Sequence, residues 1–258
     1  MNTLAANRGL LGASAALFAA SAAITVLWCG SMSAMPGMEM PGGWTMSMAW
    51  MRMPGQSWPG AATSFLGMWS VMMVAMMLPS LVPMLMRYRA SVDGSSARLS
   101  RLTALVAAGY YFVWILAGVA AYPLGLALAA AEMQLTSLAR AVPIATGLVV
   151  MLAGVLQFTA WKAHRLECCR SAPPCCRSHD SDTAWRHGLR LGLNCVQCCA
   201  GLTAVLIVLG VMDLRAMALV TLAISAERIA PASERVAHHV GAFAIAGGIW
   251  MVSNATAP

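Results

Sequence analysis

The sequence predicts an all-α protein, a membrane bundle of about six to seven transmembrane helices, and three observations lead to this prediction. Hydrophobic residues make up 60% of the 258 residues and charged residues only 10%, whereas soluble domains carry about 25% charged residues. The apolar residues lie in stretches close to the roughly 20 residues that a spanning helix needs. The sequence lacks the alternating segments of about 10 residues that build membrane barrels, so the spans must be helices.

Seven apolar stretches are the candidate spans. In chain order they are residues 10–29, 65–86, 102–130, 141–161, 189–212, 216–231 and 239–253. The first five are strong, whereas the last two are short and the sixth carries Glu227 and Arg228 near its end. The first could instead be a cleaved signal peptide with a small-x-small site at Ser31 and Ser33. Its apolar run of about 19 residues exceeds the usual signal length and favours retention as an anchor.

The basic residues predict a cytoplasmic N-terminus. With that orientation thirteen of the sixteen Arg and Lys residues are inside and three, Arg52, Arg140 and Arg215, are outside, as the positive-inside rule requires. The net charge of +7 does not indicate nucleic-acid binding, because the basic residues form short clusters between apolar stretches. The predicted organisation is a first transmembrane helix or signal anchor at 1–29, an outer loop at 30–64, and a helix bundle at 65–254 with a cytoplasmic loop at 162–190.

The outer loop is rich in methionine. Eight Met lie between positions 32 and 53, where Leu, Ile and Val are absent: Met32, Met35, Met38, Met40, Met46, Met48, Met51 and Met53. The many Pro and Gly residues predict a mobile segment without a core of its own. Thioethers are soft ligands suited to Cu(I), and no His precedes position 164, which favours Cu(I) or Ag(I) over cupric ion. The alternative is an interfacial loop in which Met and Trp contact lipid.

The second span continues the methionine pattern. Met68, Met72 and Met76 recur every four residues and share a helix face, and Met73 and Met77 form a second stripe beside it. Pro79 and Pro83 are expected to kink the inner half of the helix. This pattern predicts either a thioether ladder that leads inward or the packing of flexible side chains between helices.

The cysteines predict soft-metal sites on the cytoplasmic side. The loop at 162–190 carries the pairs Cys168–Cys169 and Cys175–Cys176 with three His, and a reducing compartment disfavours disulfides there. In the fifth span Cys195, Cys198 and Cys199 share one helical face, which suits trigonal thiolate binding of Cu(I) or silver. The alternative for these three is a role as small buried apolar residues.

Glu227 is a further candidate, because a carboxylate within the membrane is a functional-site hypothesis by default. Its alternative role is a simple ion pair with Arg228 or Arg190. The complete set of predicted metal ligands is Cys195, Cys198, Cys199, Cys168, Cys169, Met68, Met72, Met76, Met73, Met77, Met35, Met38, Met40, Met46, Met48 and Glu227.

Three motifs resemble a known bacterial family. They are the run from Met68 to Ser80, MWSVMMVAMMLPS; the segment from Gln157 through Lys162 to Cys169 and Arg170; and the block LGLNCVQCC at 191–199 followed by GVMDL at 210–214 and by Glu227. The family is described as a predicted metal-binding integral membrane protein, a domain of unknown function, and the resemblance covers roughly residues 60–252. The chain departs from it at Arg165, where a first Cys is common, and at 197–200, where QCCA replaces GCCW.

The resemblance implies a multi-pass metal-binding protein of the bacterial inner membrane. Together with the soft donors it predicts the handling of Cu(I), by transport or by delivery to a membrane cuproenzyme, with a copper chaperone or that enzyme as partner. The alternatives are a thiol-redox or assembly factor and a structural subunit of a larger membrane complex. The chain has no phosphate-binding loop and no hydrolase motif, so it is predicted to be neither an ATP-driven pump nor an enzyme.

Overall fold

The fold consists of α-helices with one small β-hairpin. The computed structural model describes residues 2–34, 37–52, 55–171 and 180–256. In this part of the chain the helices are α1 (Asn2–Ser33), α2 (Trp58–Ala90), α3 (Ser96–Gln134), α4 (Thr136–Leu156), α5 (Ala160–Ser171), α6 (Ser181–Leu209), α7 (Leu214–Ile229) and α8 (Ser233–Thr256). The strands are β1 (Met38–Met40) and β2 (Trp44–Met46), followed by a 3-10 turn at Met48–Trp50. The prediction of an all-α polytopic helix bundle is confirmed.

Six helices within the described residues, α1, α2, α3, α4, α6 and α8, are long and apolar enough to cross a membrane. The sixth predicted span, 216–231, falls on α7, which has 16 residues. At 1.5 Å per residue α7 is about 24 Å long, which is short of the hydrocarbon thickness of a bilayer. The structure therefore supports the lower end of the predicted range of six to seven.

The long helices extend beyond the predicted spans because polar caps start them earlier. The hydroxyl of Ser57 accepts a hydrogen bond from the Gly60 amide and begins α2 at Trp58, and the hydroxyl of Ser95 does the same for α3. Pro79 and Pro83 lie inside α2, which nevertheless continues to Ala90.

The segment predicted to be a mobile outer loop contains the hairpin instead. β1 and β2 are antiparallel, with Met38 opposite Met46, and the connecting glycines Gly42 and Gly43 have φ of 116° and 74°, which favour glycine. The indole nitrogen of Trp44 donates to the carbonyl of Ala139 at 2.8 Å. This contact and the burial of apolar side chains fix the hairpin onto the start of α4, a long-range contact without a local sequence signal.

The predicted cytoplasmic loop at 162–190 is helical at both of its ends, since α5 includes Cys168 and Cys169 and α6 begins at Ser181. Cys175, Cys176 and His179, the second of the three histidines of the segment, lie outside the described residues. The described part of this connecting segment is therefore helical.

Glycines allow two helix pairs to pack closely. A Cβ atom on Gly109 of α3 would lie 2.7 Å from the Trp185 carbonyl oxygen of α6, and one on Gly192 would lie 2.9 Å from the Tyr110 carbonyl oxygen. Facing glycines bring α4 and α8 together in the same manner. Small residues at such contacts are typical of membrane helix pairs. The α3–α6 contact places Tyr110 against the cysteine face of α6.

Candidate metal centre

Four buried cysteines from α5 and α6 lie together in the bundle. Cys169, Cys195, Cys198 and Cys199 are at most 3% exposed. The sulfurs of Cys195 and Cys199 are 3.8 Å apart, and Cys169 and Cys198 belong to the same buried core. The three cysteines on the predicted helical face are thus joined by a fourth from α5. We refer to these four residues as the thiol cluster.

The spacing of Cys195 and Cys199 fits a soft ion between them. Two sulfurs bound to one ion at about 2.3 Å lie roughly 4 Å apart when the bond angle is between tetrahedral and trigonal. The observed 3.8 Å meets this requirement and is far from the ~2.05 Å of a disulfide. Both cysteines are free.

No group of three or more His, Cys, Asp or Glu side chains among the described residues is arranged as a preformed metal site. This geometry disfavours zinc, which takes four ligands in structural sites. Cu(I) prefers soft sulfur donors, so the sulfurs of Cys195 and Cys199 are suitable ligands for it. The chemistry of the sulfur donors therefore suits a soft ion such as Cu(I).

A buried cation contacts the thiol cluster. The Nη1 atom of Arg228 in α7 donates to the Cys195 sulfur at 3.0 Å and to the Ser80 hydroxyl at 2.9 Å, and Nη2 donates to the Met84 sulfur at 3.1 Å. The Tyr110 hydroxyl donates to the same Cys195 sulfur at 3.0 Å. Arginine does not lose its proton in proteins, so this buried charge needs an anionic partner. No carboxylate of the described residues forms an ion pair with Arg228, which leaves the Cys195 thiolate for that role.

Glu227 belongs to a second buried network. Its Oε2 atom forms an ion pair with Lys162 Nζ at 2.7 Å, and its Oε1 atom accepts from Gln157 Nε2 at 2.9 Å. Lys162 also donates to the Cys198 carbonyl oxygen at 2.8 Å. The expected alternative of a pair with Arg228 or Arg190 was wrong, because the partner is the only lysine of the chain. The network ties α5 and α7 to the helix that carries the thiol cluster.

The five α2 methionines predicted as ligands are buried, and the row to which Met68, Met72 and Met76 belong extends towards Arg228. The exposed fractions of Met68, Met72, Met76, Met73 and Met77 are 5% or less. At the same spacing of four residues the stripe continues with Ser80 and Met84, the two α2 residues that contact Arg228. We call the row Met68, Met72, Met76, Ser80 and Met84 the α2 stripe; it is about 24 Å long at 1.5 Å per residue. Ser80 and Met84 fit the spacing of the stripe in the sequence. Their contacts with Arg228 could not be predicted, because they form only when α7 packs against α2.

The remaining predicted ligands do not join the thiol cluster. Met40 and Met46 pack under the hairpin against Ala129 and Ala139, and Met38 is 41% exposed. Met40 and Met46 are therefore packed inside the protein, whereas Met38 is exposed.

Two further predicted positions lack a description. Met35 lies outside the described residues, and the Met48 side chain is likewise not described. Cys168 is partly exposed on α5, with its sulfur 3.6 Å from His164 Nε2. It therefore lies apart from the buried thiols.

Comparison with known proteins identifies one family. Residues 66–251, more than half of the chain, match the model of the PpoB2 family, which carries the description copper chaperone. No curated protein and no solved structure matches the chain significantly. The matched range contains the α2 stripe, the thiol cluster and both buried networks, and it lies close to the range of 60–252 over which the motifs were recognised. The copper-related part of the sequence prediction is confirmed.

Proposed function

This chain belongs to the PpoB2 family of copper chaperones, and from that premise we propose that it is an integral protein of the bacterial inner membrane that carries Cu(I) and delivers it to a partner cuproenzyme. Copper is the cargo rather than a resident cofactor. The observation that carries the proposal is the row of buried methionines in α2, whose continuation, Ser80 and Met84, contacts Arg228 beside the thiol cluster.

The thiol cluster is proposed as the carrier site, with Cys195 and Cys199 as its first two ligands. A Cu(I) ion held by two thiolates carries one net negative charge. Arg228, hydrogen-bonded to the Cys195 sulfur, supplies the compensating positive charge. Charges inside a membrane protein are tolerated when they are paired, so the cation makes an otherwise costly copper–thiolate complex acceptable at this depth.

The α2 stripe is proposed as the path by which the ion reaches the thiols. Thioethers are neutral soft ligands and bind Cu(I) less tightly than thiolates do. An ion that passes along the α2 stripe from Met68 towards Met84 meets thioethers first. It meets stronger donors, the thiolates, only at the thiol cluster, where it stops. Delivery is an exchange in which Cu(I) passes to the thiols of a partner. These thiols lose protons as they bind the metal, and one proton returns to Cys199. The carrier site then holds one thiolate, Cys195, and one thiol, so its net charge of −1 beside Arg228 is unchanged. The thiol-redox alternative is not favoured by the copper-chaperone description of the family.

The test is a double variant, Cys195→Ser with Cys199→Ser, which preserves size and replaces two soft donors with hydroxyls. We expect the variant, purified in detergent under reducing conditions and loaded with Cu(I), to lose most of the copper that the parent retains on a desalting column. The matched control is Cys168→Ser, which removes a partly exposed thiol of α5 and should keep the parental copper content. Full copper content in the double variant would remove the thiol cluster from the proposal.

A further inference from the structure

We propose a second soft-metal site at the hairpin end of the bundle, where a cavity collects thioethers from four separate segments of the chain. The cavity has a volume of about 210 Å³. Its wall includes Met32 of α1, Met51 after the 3-10 turn, Met68 of α2 and Met212 between α6 and α7. We call this the Met cavity. The identity of its ion, Cu(I), rests on the proposed function, whereas the existence of the site does not.

A thiol adjoins the Met cavity. Cys29 of α1 is 2% exposed, and its sulfur lies 3.8 Å from the Met212 sulfur. This separation equals that of Cys195 and Cys199 and meets the same requirement for two sulfurs on one soft ion. Cys29 and Met212 are 183 positions apart, so the pairing is created by the fold and has no counterpart in the sequence motifs.

The charges around the Met cavity favour a cation. None of its wall residues is Arg, Lys or His. Its polar wall residues include Gln56 and Ser64, which hydrogen-bond to each other at 3.2 Å. The negative charge of Asp213 acts on Cys29. A soft monovalent cation in the Met cavity therefore meets thioethers, with one thiol adjoining the wall.

The position of Met68 connects the two sites. Met68 lines the Met cavity and is the first member of the α2 stripe, which ends at the thiol cluster. The Met cavity offers mainly neutral thioethers, so it binds more weakly and exchanges faster than the thiols. It is therefore suited to load the stripe from the hairpin side of the protein.

The experiment uses Ag(I) as a probe, because silver shares the soft-ligand preference of Cu(I) and does not change oxidation state. In the Cys195→Ser/Cys199→Ser protein the carrier site is already impaired, and titration calorimetry should still detect about one bound Ag(I) per chain. Adding Met51→Leu and Met212→Leu, which nearly conserve volume, should abolish that binding. The matched control, Met40→Leu with Met46→Leu under the hairpin, should keep it.

Two results would contradict a metal site in the Met cavity. One is undiminished Ag(I) binding after Met51→Leu/Met212→Leu, and the other is an equal loss of Ag(I) binding in the Met40→Leu/Met46→Leu control. A failure of the proposed function is distinguishable, because it shows as full copper retention after loss of Cys195 and Cys199. A second measurement on the unaltered protein needs no variant. Ag(I) should slow the oxidation of Met51 and Met212 to the sulfoxide by peroxide, relative to exposed Met38, and unchanged rates would also refute the site.

Discussion

At the scale of the residue, Arg228 explains how thiolates can be held inside a membrane protein. Its guanidinium is 6% exposed and hydrogen-bonds to a cysteine, a serine, a tyrosine and a methionine. A buried arginine without a carboxylate partner costs free energy unless another anion is present. Under the proposed function the Cys195 thiolate, alone or with Cu(I), is that anion, so the cation and the carrier site would stabilise each other.

Changing Arg228 to Met retains the length and removes the charge. We expect weaker Cu(I) binding, because a hydrogen bond to a charged group contributes about 1.5–3 kcal/mol, which corresponds to roughly ten- to a hundredfold in Kd. Thiols must lose protons to bind the metal, and they do so less readily without the cation. Copper binding should therefore be lost at a higher pH in Arg228→Met than in the parent.

The measurement is a competition titration with a chromogenic Cu(I) chelator across a pH series. Arg235→Met, which removes an exposed positive charge from α8, is the matched control and should leave both affinity and pH dependence unchanged. A purely structural role for Arg228 would change the unfolding temperature but leave the pH profile of copper binding in place, and that outcome would contradict the assignment.

The sequence predicted only part of this residue-scale picture. The spacing of Cys195, Cys198 and Cys199 placed them on one face because helical periodicity is local. Cys169 and Arg228 reach the same point only after α5 and α7 have docked, and nothing in their local sequence specifies that docking. Lys162 carried a weak signal as the only lysine of an Arg-rich chain, although its partner, Glu227, is 65 positions away.

At the scale of the element, glycine packing positions the site. Long apolar stretches were sufficient to predict most helices. The pairing of α3 with α6, in contrast, depends on Gly109, Gly188 and Gly192 meeting the opposite backbone. The spacing of glycines in one helix does not predict which other helix packs against it. The hairpin was missed for a related reason, since Met40 and Met46 are buried by residues near the α3–α4 connection.

A substitution at Gly188 tests this packing. A Cβ at this position would clash with the Val106 carbonyl, so Gly188→Val should separate α3 from α6 and lower the thermal stability in detergent. Overpacking a tight interface costs about 1–3 kcal/mol. Because Tyr110 would move away from Cys195, copper retention should fall as well. Gly247→Val is the matched control, since a Cβ on Gly247 of α8 meets nothing within 4 Å, and equal stability losses in the two variants would refute the packing role.

At the scale of the whole molecule, the proposal requires that the two ends of the α2 stripe face different compartments. The helix lengths and the bias of basic residues were readable from composition and position along the chain, because insertion into a bilayer depends on these coarse properties. The arrangement of the helices around α2 was not readable, because it depends on side-chain packing between segments far apart in sequence. The Met cavity belongs to this second class.

Orientation can be tested by labelling two exposed positions at opposite ends of α2. We expect Thr45→Cys in the hairpin to react with a membrane-impermeant maleimide in intact cells, because the Met-rich segment should face outwards. Ser96→Cys, which follows α2 at the start of α3, should react only after the cells are opened, because the arginines that flank this turn favour the cytoplasmic side. Both residues are exposed, so the difference reports on the side of the membrane rather than on burial. The unsubstituted chain is the background control for its own cysteines, and strong labelling of Ser96→Cys in intact cells would reverse the orientation and with it the direction of the proposed copper path.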